Sequence, residues 1–234
     1  MKVFAIADLH LSATGEKPMD VFGPEWIGHA EKIEANWRAA VGEGDLVLLP
    51  GDLSWAMQLE EAVPDLRFIE SLPGVKYFIR GNHDFWFVGP SKVRAVLGEK
   101  LRLVRFDAHV HGGVGICGIR GWIWPGHPEY APAEDEKHWQ RALQRFELSL
   151  EALARLQWDT AVAMFHYPPL DAMVTSELCR MARKAGVRYI IYGHLHGEAA
   201  RTACETELDG VSCRCVSADR LGFAPAFLFE QPAA

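Results

Sequence analysis

A chain of 234 residues, 49% hydrophobic and 24% charged, carries enough apolar material for a sizeable core, and no linker-like stretch or internal repeat divides it, so a single domain over residues 1–234 is expected. The net charge of -7, with Lys and Arg scattered, argues against extended nucleic acid as a partner but leaves a small phosphorylated substrate open. No apolar run reaches the length of a membrane span, and Met1-Lys2 leads straight into the short apolar stretch from Val3, so no membrane partner and a cytoplasmic location are expected.

In chain order, apolar runs end repeatedly in polar residues suited to metals. A strand over residues 2–7 runs into Asp8-Leu9-His10. Asp and His two apart beyond a strand end can turn toward one ion, or can simply cap the turn. A polar loop with Pro18 and Pro24 follows, and then Ile33, Trp37, Ala40 and Val41 at helical spacing predict an amphipathic helix over 27–41, ended by Gly42 and Gly44. The second strand, 45–49, is a continuous apolar run after Asp45, as in strands buried on both faces. It ends in Pro50-Gly51-Asp52, where Gly51 permits the tight turn that presents the carboxylate. A helix over 59–71 is broken by Leu72-Pro73-Gly74. The third strand, 75–79, then delivers Arg80-Gly81-Asn82-His83-Asp84, with a carboxamide, an imidazole and a carboxylate in successive positions at a sharp turn.

Residues 85–157 are less patterned. Short strands are predicted around 101–104 and 114–119, and Leu143, Phe146, Leu150 and Leu153 predict a long helix over 134–156. Between them Trp122, Trp124, Tyr130 and Trp139 read as a hydrophobic layer ahead of a wall for substrate. A strand over 161–165 ends at His166, beyond which Pro168 and Pro169 cannot continue a ladder. A helix over 175–185 stops at Gly186. A strand over 187–192 ends in Gly193-His194-Leu195-His196-Gly197, whose two histidines would each need a buried partner if they belonged to the core. The tail holds strands with an Asp209-Gly210 hairpin turn. The five cysteines lack zinc-finger spacing and read as small buried residues, with Cys213 and Cys215 on one strand face.

Five strand ends thus present Asp8, His10, Asp52, Asn82, His83, His166, His194 and His196. Side by side they would converge at one sheet edge, and they are more than one ion needs. The ordered set Asp-x-His, Gly-Asp, Gly-Asn-His-Asp, a lone His after a strand and Gly-His-x-His resembles the calcineurin-like metallophosphoesterase superfamily, and it spans residues 8–196. The resemblance implies an α/β fold, a four-layer α/β/β/α sandwich with two facing mixed β-sheets. It implies two divalent transition-metal ions, Mn foremost with Fe, Zn or Ni as alternatives, roughly 3.5–4 Å apart. One ion would be held by Asp8, His10, Asp52 and His196, the other by Asp52, Asn82, His166 and His194, with Asp52 as the bridge. By the same resemblance His83 is not a ligand: it protonates the leaving oxygen or stabilises the phosphoryl oxygens while a hydroxide between the metals attacks phosphorus in line. Arg80 matches an arginine often found before Gly-Asn-His and is a candidate to touch phosphate, with a structural pairing as the alternative.

The chain departs from the serine/threonine phosphatases of that superfamily after Gly-Asp, where their second Asp and Arg give way to Leu53-Ser54-Trp55-Ala56. It is more similar to bacterial single-domain phosphohydrolases and phosphodiesterases. With Ala56 in place of the arginine, the charge balance of a dinuclear centre favours a singly charged diester over a dianionic monoester. A phosphodiesterase is therefore expected. The alternatives are a phosphomonoesterase and a scaffold that has lost catalysis, although no ligand or acid histidine is missing.

Overall fold

Alternation of apolar side chains along the central strands sets the architecture. The computed structural model describes residues 1–13, 17–171 and 175–232; residues 14–16 of the expected polar loop lie outside them. Strands β1 (Lys2–Ala5), β2 (Leu46–Leu49), β3 (Val75–Phe78) and β4 (Leu101–Leu103) run parallel. Strands β5 (Ala108–His111), β6 (Val114–Ile119), β7 (Thr160–Phe165), β8 (Tyr189–Tyr192), β9 (Thr206–Leu208) and β10 (Val211–Cys215) form a second sheet in the order β5-β6-β7-β8-β10-β9. Its inner strands are parallel and each edge is an antiparallel hairpin. Strand β11 (Ala226–Glu230) returns antiparallel to β1 and completes the first sheet as β11-β1-β2-β3-β4.

Between the sheets, Val3 and Ala5 of β1 and Leu46 and Leu48 of β2 share a core with Val114, Ile116, Val162 and Met164. The intervening residues face the opposite way, because successive side chains of a strand alternate. Phe4, Val47 and Leu49 turn to helices α1 (His29–Ala40) and α2 (Leu59–Ser71). Short helix α3 (Pro90–Val96) contributes Val93 to the same layer. Ala161, Ala163 and Phe165 turn to α4 (Pro132–Ala154) and α5 (Glu177–Lys184). Helix, sheet, sheet and helix thus stack in four layers, and the strands are apolar throughout because both faces are covered.

The differences from the sequence reading lie mainly where hydrophobic periodicity is weak. Strand β5, whose residues are all half-buried, helix α3 and a short helix α6 (Gly197–Arg201) were not expected. Helix α1 starts at His29 rather than residue 27, because Gly28 takes φ 64° and single-turn helices occupy Met19–Phe22 and Pro24–Trp26 before it. Helix α4 starts earlier than expected, at Pro132, a residue suited to a first helical turn. Strand β1 ends at Ala5 because Ala7 leaves its sheet, donating its N–H to Val216 O at 2.7 Å and bridging to Ser217. The Asp209-Gly210 turn has φ of 49° and 79°, the doubly positive pattern of a tight hairpin. All five cysteines are free thiols, and Cys213 and Cys215 are buried on one face of β10. Trp124 and Trp139 are core, whereas Trp122 is half-buried beside a cavity. Among the described residues no helix is long and apolar enough to cross a membrane.

Candidate metal centre

Parallel β1, β2 and β3 end at one edge of the first sheet and are followed by Asp8, Asp52 and Asn82; β7, β8 and β10 end beside them, followed by His166, by His194 and His196, and by Asp219. The Ala7 to Ser217 bridge stitches the two edges together. Chain reversal here is sharp. Asp8, His10, Asp52 and His194 have φ of 59°, 44°, 54° and 73°, so among the described residues four of the seven non-glycine residues with positive φ are expected ligands. Each such conformation costs about 1–3 kcal/mol and persists only where neighbours over-determine it. They do so here through Asp8 N to Gly51 O, His10 N to Asp52 O and Leu11 N to Leu53 O, each 3.0 Å, and through His194 N to Asp8 Oδ2 at 2.9 Å.

All seven residues expected as ligands come together. Asp8, His10 and His196 form one group of potential ligand atoms and Asp8, Asp52 and His166 another, each within 4.8 Å. Asp52 Oδ2 lies 3.3 Å from His166 Nε2 and 3.8 Å from His10 Nε2, between the two sets. Asn82 Oδ1 contacts His166 Nε2 and lies 2.9 Å from His194 Nδ1. Asp8 belongs to both groups.

The chemistry of these atoms fits divalent cations. His166 Nδ1 faces Pro50 O at 2.9 Å and His196 Nδ1 faces Asp219 Oδ1 at 3.2 Å. With those Nδ1–H groups donating, each Nε2 offers a lone pair to the cluster. The Nε2 atoms of His10 and His196 point at each other across 3.2 Å, an arrangement that needs a proton or a cation between them. Asp52 Oδ1 accepts His83 N at 2.8 Å, but its buried Oδ2 has no hydrogen-bond partner. Burial holds His10 and His194 at about 3, so both imidazoles are neutral, as ligation requires. Burial pushes Asp8 up, to about 6. Burial opposes charge on His166 as well, yet the Asp52 and Asp8 carboxylates outweigh it and raise that imidazole to about 9. Asp52 is held low, against its burial, chiefly by His166. Two buried carboxylates thus recruit positive charge, and a cation would compete with the His166 proton for the same nitrogen.

His83 is half-buried, its ring 4.4 Å from that of Trp55 and 5.7 Å from that of His10. It borders a pocket of about 360 Å³ with Met19, Phe22, Trp26 and Trp55, into which His10 and His196 also face. Arg80 lines a different cavity, of about 250 Å³, and its Nε donates to Asp84 O at 3.2 Å.

Two supporting carboxylates had no role assigned from sequence. Asp219 orients His196 and accepts Gly197 N at 2.8 Å; it follows β10, so the same pattern of apolar strand and then polar residue was present to be read. Asp84, inside the central motif, accepts N–H groups from Gly81 at 2.7 Å, Leu53 at 2.9 Å, Asp52 at 3.0 Å and Ser54 at 3.3 Å, and Trp86 Nε1 at 3.0 Å. Gly193 is required by proximity: a Cβ there would lie 2.5 Å from Asp8 Oδ2 and 2.6 Å from Ala7 Cβ. Gly193→Ala should therefore lose about 1–3 kcal/mol of stability by overpacking. It should also displace Asp8 and weaken Mn2+ binding. Denaturant unfolding together with a metal titration checks this, and an unchanged affinity would show that Asp8 has room to move.

Fold and site define a metal-dependent phosphoric ester hydrolase. The chain belongs to the calcineurin-like phosphoesterase family, whose model matches residues 1–198. No protein of curated function matches it in sequence. Among the solved structures that share its fold are three bacterial proteins. The phosphopantetheinyl hydrolase of Mycobacterium tuberculosis is 16% identical with a TM-score of 0.59, over 99% of this chain and 96% of that one. A Thermus thermophilus protein is 14% identical with a TM-score of 0.58, over 96% of each chain. A protein of unknown function from Aquifex aeolicus is 17% identical with a TM-score of 0.54, over 97% of this chain and 95% of that one.

Proposed function

We propose that residues 1–234 act as one domain, a dinuclear phosphodiesterase for small substrates, with Asp8, His10, Asp52 and His196 holding one ion and Asp52, Asn82, His166 and His194 the other. The shared inter-sheet core supports the single domain. The donor set of carboxylate, carboxamide and imidazole, without thiolate, suits Mn2+ and also Fe, Zn or Ni. Bound ions would supply Lewis acidity toward a phosphoryl oxygen and a lowered pKa for water.

The observation that carries the diester reading is the pocket beside His83. Its walls are Met19, Phe22, Trp26 and Trp55, and among the described residues neither Arg nor Lys lines it; Lys17 lies over the Trp55 ring, 5.5 Å from its centre, in the neighbouring cavity. A monoester dianion would want a cation clamp there, whereas a diester fills an aromatic pocket with its second organic group. His83 then stands at the leaving oxygen. Burial lowers its pKa, Asp52 pulls it up, and a phosphoryl anion in the site would add to that upward pull. As a water oxygen bonds to phosphorus and the bond to the leaving oxygen breaks, the His83 proton passes to the leaving oxygen, and the proton given up by the water replaces it by way of solvent.

Under one metal and pH, kcat/KM for bis-nitrophenyl phosphate should exceed that for nitrophenyl phosphate. A tenfold advantage for the monoester, about 1.4 kcal/mol in the wrong direction, would overturn the diester reading. His83→Asn should retain metal and slow hydrolysis of alkyl esters by on the order of a hundredfold, and of nitrophenyl esters less, because nitrophenolate leaves without a proton. Equal slowing of both would leave His83 only an electrostatic role.

A further inference from the structure

The cavity that Arg80 lines gathers five guanidinium groups from separate parts of the chain. Arg80 follows β3, Arg105 follows β4, Arg120 follows β6, and Arg141 and Arg145 lie one turn apart on α4. Eight arginines elsewhere form ion pairs with carboxylates within 4.0 Å, but among the described residues none of these five does. Arg80, Arg105, Arg120 and Arg145 lie over aromatic faces. Arg105 lies 4.3 Å and Arg145 4.9 Å from the Phe106 ring centre, and Arg120 lies 5.0 Å from that of Trp122. Phe106 is itself held at φ 63°, a conformation a bulky side chain adopts only under constraint. Packing alone explains this poorly. Ring contacts contribute roughly 0.5–1 kcal/mol each where solvent reaches them, whereas like charges one helical turn apart repel. Burial, followed by the charges of Arg145, Arg80 and Arg120, pushes Arg105 down to about 10, so the cluster is short of negative charge.

The cavity abuts the metal centre. Arg120 O accepts the backbone N–H groups of His166 at 3.0 Å and Tyr167 at 2.9 Å. The Tyr167 ring lies 5.4 Å from Trp122 on the cavity side and 4.3 Å from His194 on the other. At about 250 Å³ the space is below the roughly 300–1,000 Å³ of sites that enclose a drug-sized ligand, so it suits an anionic head group. Guanidinium groups present paired donors that match phosphate oxygens.

We infer that this cavity binds a phosphate or diphosphate group carried by the substrate itself, several bonds from the phosphorus at which hydrolysis occurs. The inference rests on the hydrolase reading above and names its substrate class: a phosphoester whose retained half bears a second, terminal phosphate reaching past Tyr167.

The test uses the metal-loaded full chain and nitrophenyl alkyl phosphodiesters whose alkyl ends carry either a phosphate or a hydroxyl, over a series of linker lengths. The phosphate-ended compound should show at least a tenfold higher kcat/KM at the best length. That ratio should fall below threefold in Arg141→Ala/Arg145→Ala, and likewise in Arg105→Gln. The α4 pair is exposed on a helix and alanine favours helix, so the double variant should fold. Inorganic diphosphate should compete with the phosphate-ended compound more strongly than with the hydroxyl-ended one. A ratio near one at every length, or a ratio unchanged in the variants, overturns the inference while leaving hydrolysis intact. Diphosphate altering both compounds equally, with their ratio unchanged, also overturns it, in favour of a free anion as effector. Should neither compound be hydrolysed, the hydrolase reading fails, and calorimetric binding of the phosphate-ended alkyl phosphate still decides: tight binding lost in the double variant upholds the anion site, and equal binding removes it.

Discussion

Asp52→Asn should leave a folded protein that binds metal poorly at both positions and has lost activity by on the order of a thousandfold or more. Asn has nearly the shape of Asp, tolerates the left-handed backbone at φ 54°, and keeps an oxygen to accept His83 N. What it lacks is the charge at Oδ2, the atom between His166 and His10. Elemental analysis after saturation with Mn2+ should give about two ions per chain for the parent and fewer for the variant. A parent stoichiometry of one, with the variant fully active, would remove Asp52 as a bridge. Circular dichroism confirms that the comparison is between folded proteins.

Asp84→Ala should cost about 4 kcal/mol or more of folding stability. The carboxylate is buried and takes five N–H donors, four of them backbone groups of the Asp52 and Gly81 loops. Removing it strands those donors away from water, each at about 1–3 kcal/mol before relaxation. Asp84→Asn, which keeps one acceptor oxygen but turns an amide toward some of the donors, should fall between the two. Urea unfolding measures both variants. A loss below about 1 kcal/mol for the alanine variant would mean that water replaces the carboxylate and that the two loops are held by other contacts.

The parts of the molecule legible in sequence are those where a local pattern carries a global consequence. Apolar runs such as residues 46–49 and 161–165 revealed strands buried on both faces, and the polar residues after them revealed the sheet edge that carries the site. Strand β5 was not legible because all four of its residues are half-buried, without hydrophobic alternation. Asp84 was in plain view, but its role depends on Asp52, Leu53 and Ser54 of another loop, and spacing within one motif cannot disclose that. The arginine cavity was hidden more deeply. Its residues are spread from 80 to 145, and only Arg80 adjoins a motif. The other four gather beside it, in a cavity apart from the aromatic pocket.

The left-handed backbone at Asp8, His10, Asp52 and His194 has a consequence for how this enzyme responds to laboratory evolution. Glycine at Asp8 or Asp52 would relax a strained residue by about 1–3 kcal/mol, but it would strand the backbone N–H of His194 or His83 that the carboxylate now accepts, at about the same cost. Selection for heat resistance alone, without an activity screen, would therefore gain little at these four positions, whose strain is held by the same contacts that shape the cluster.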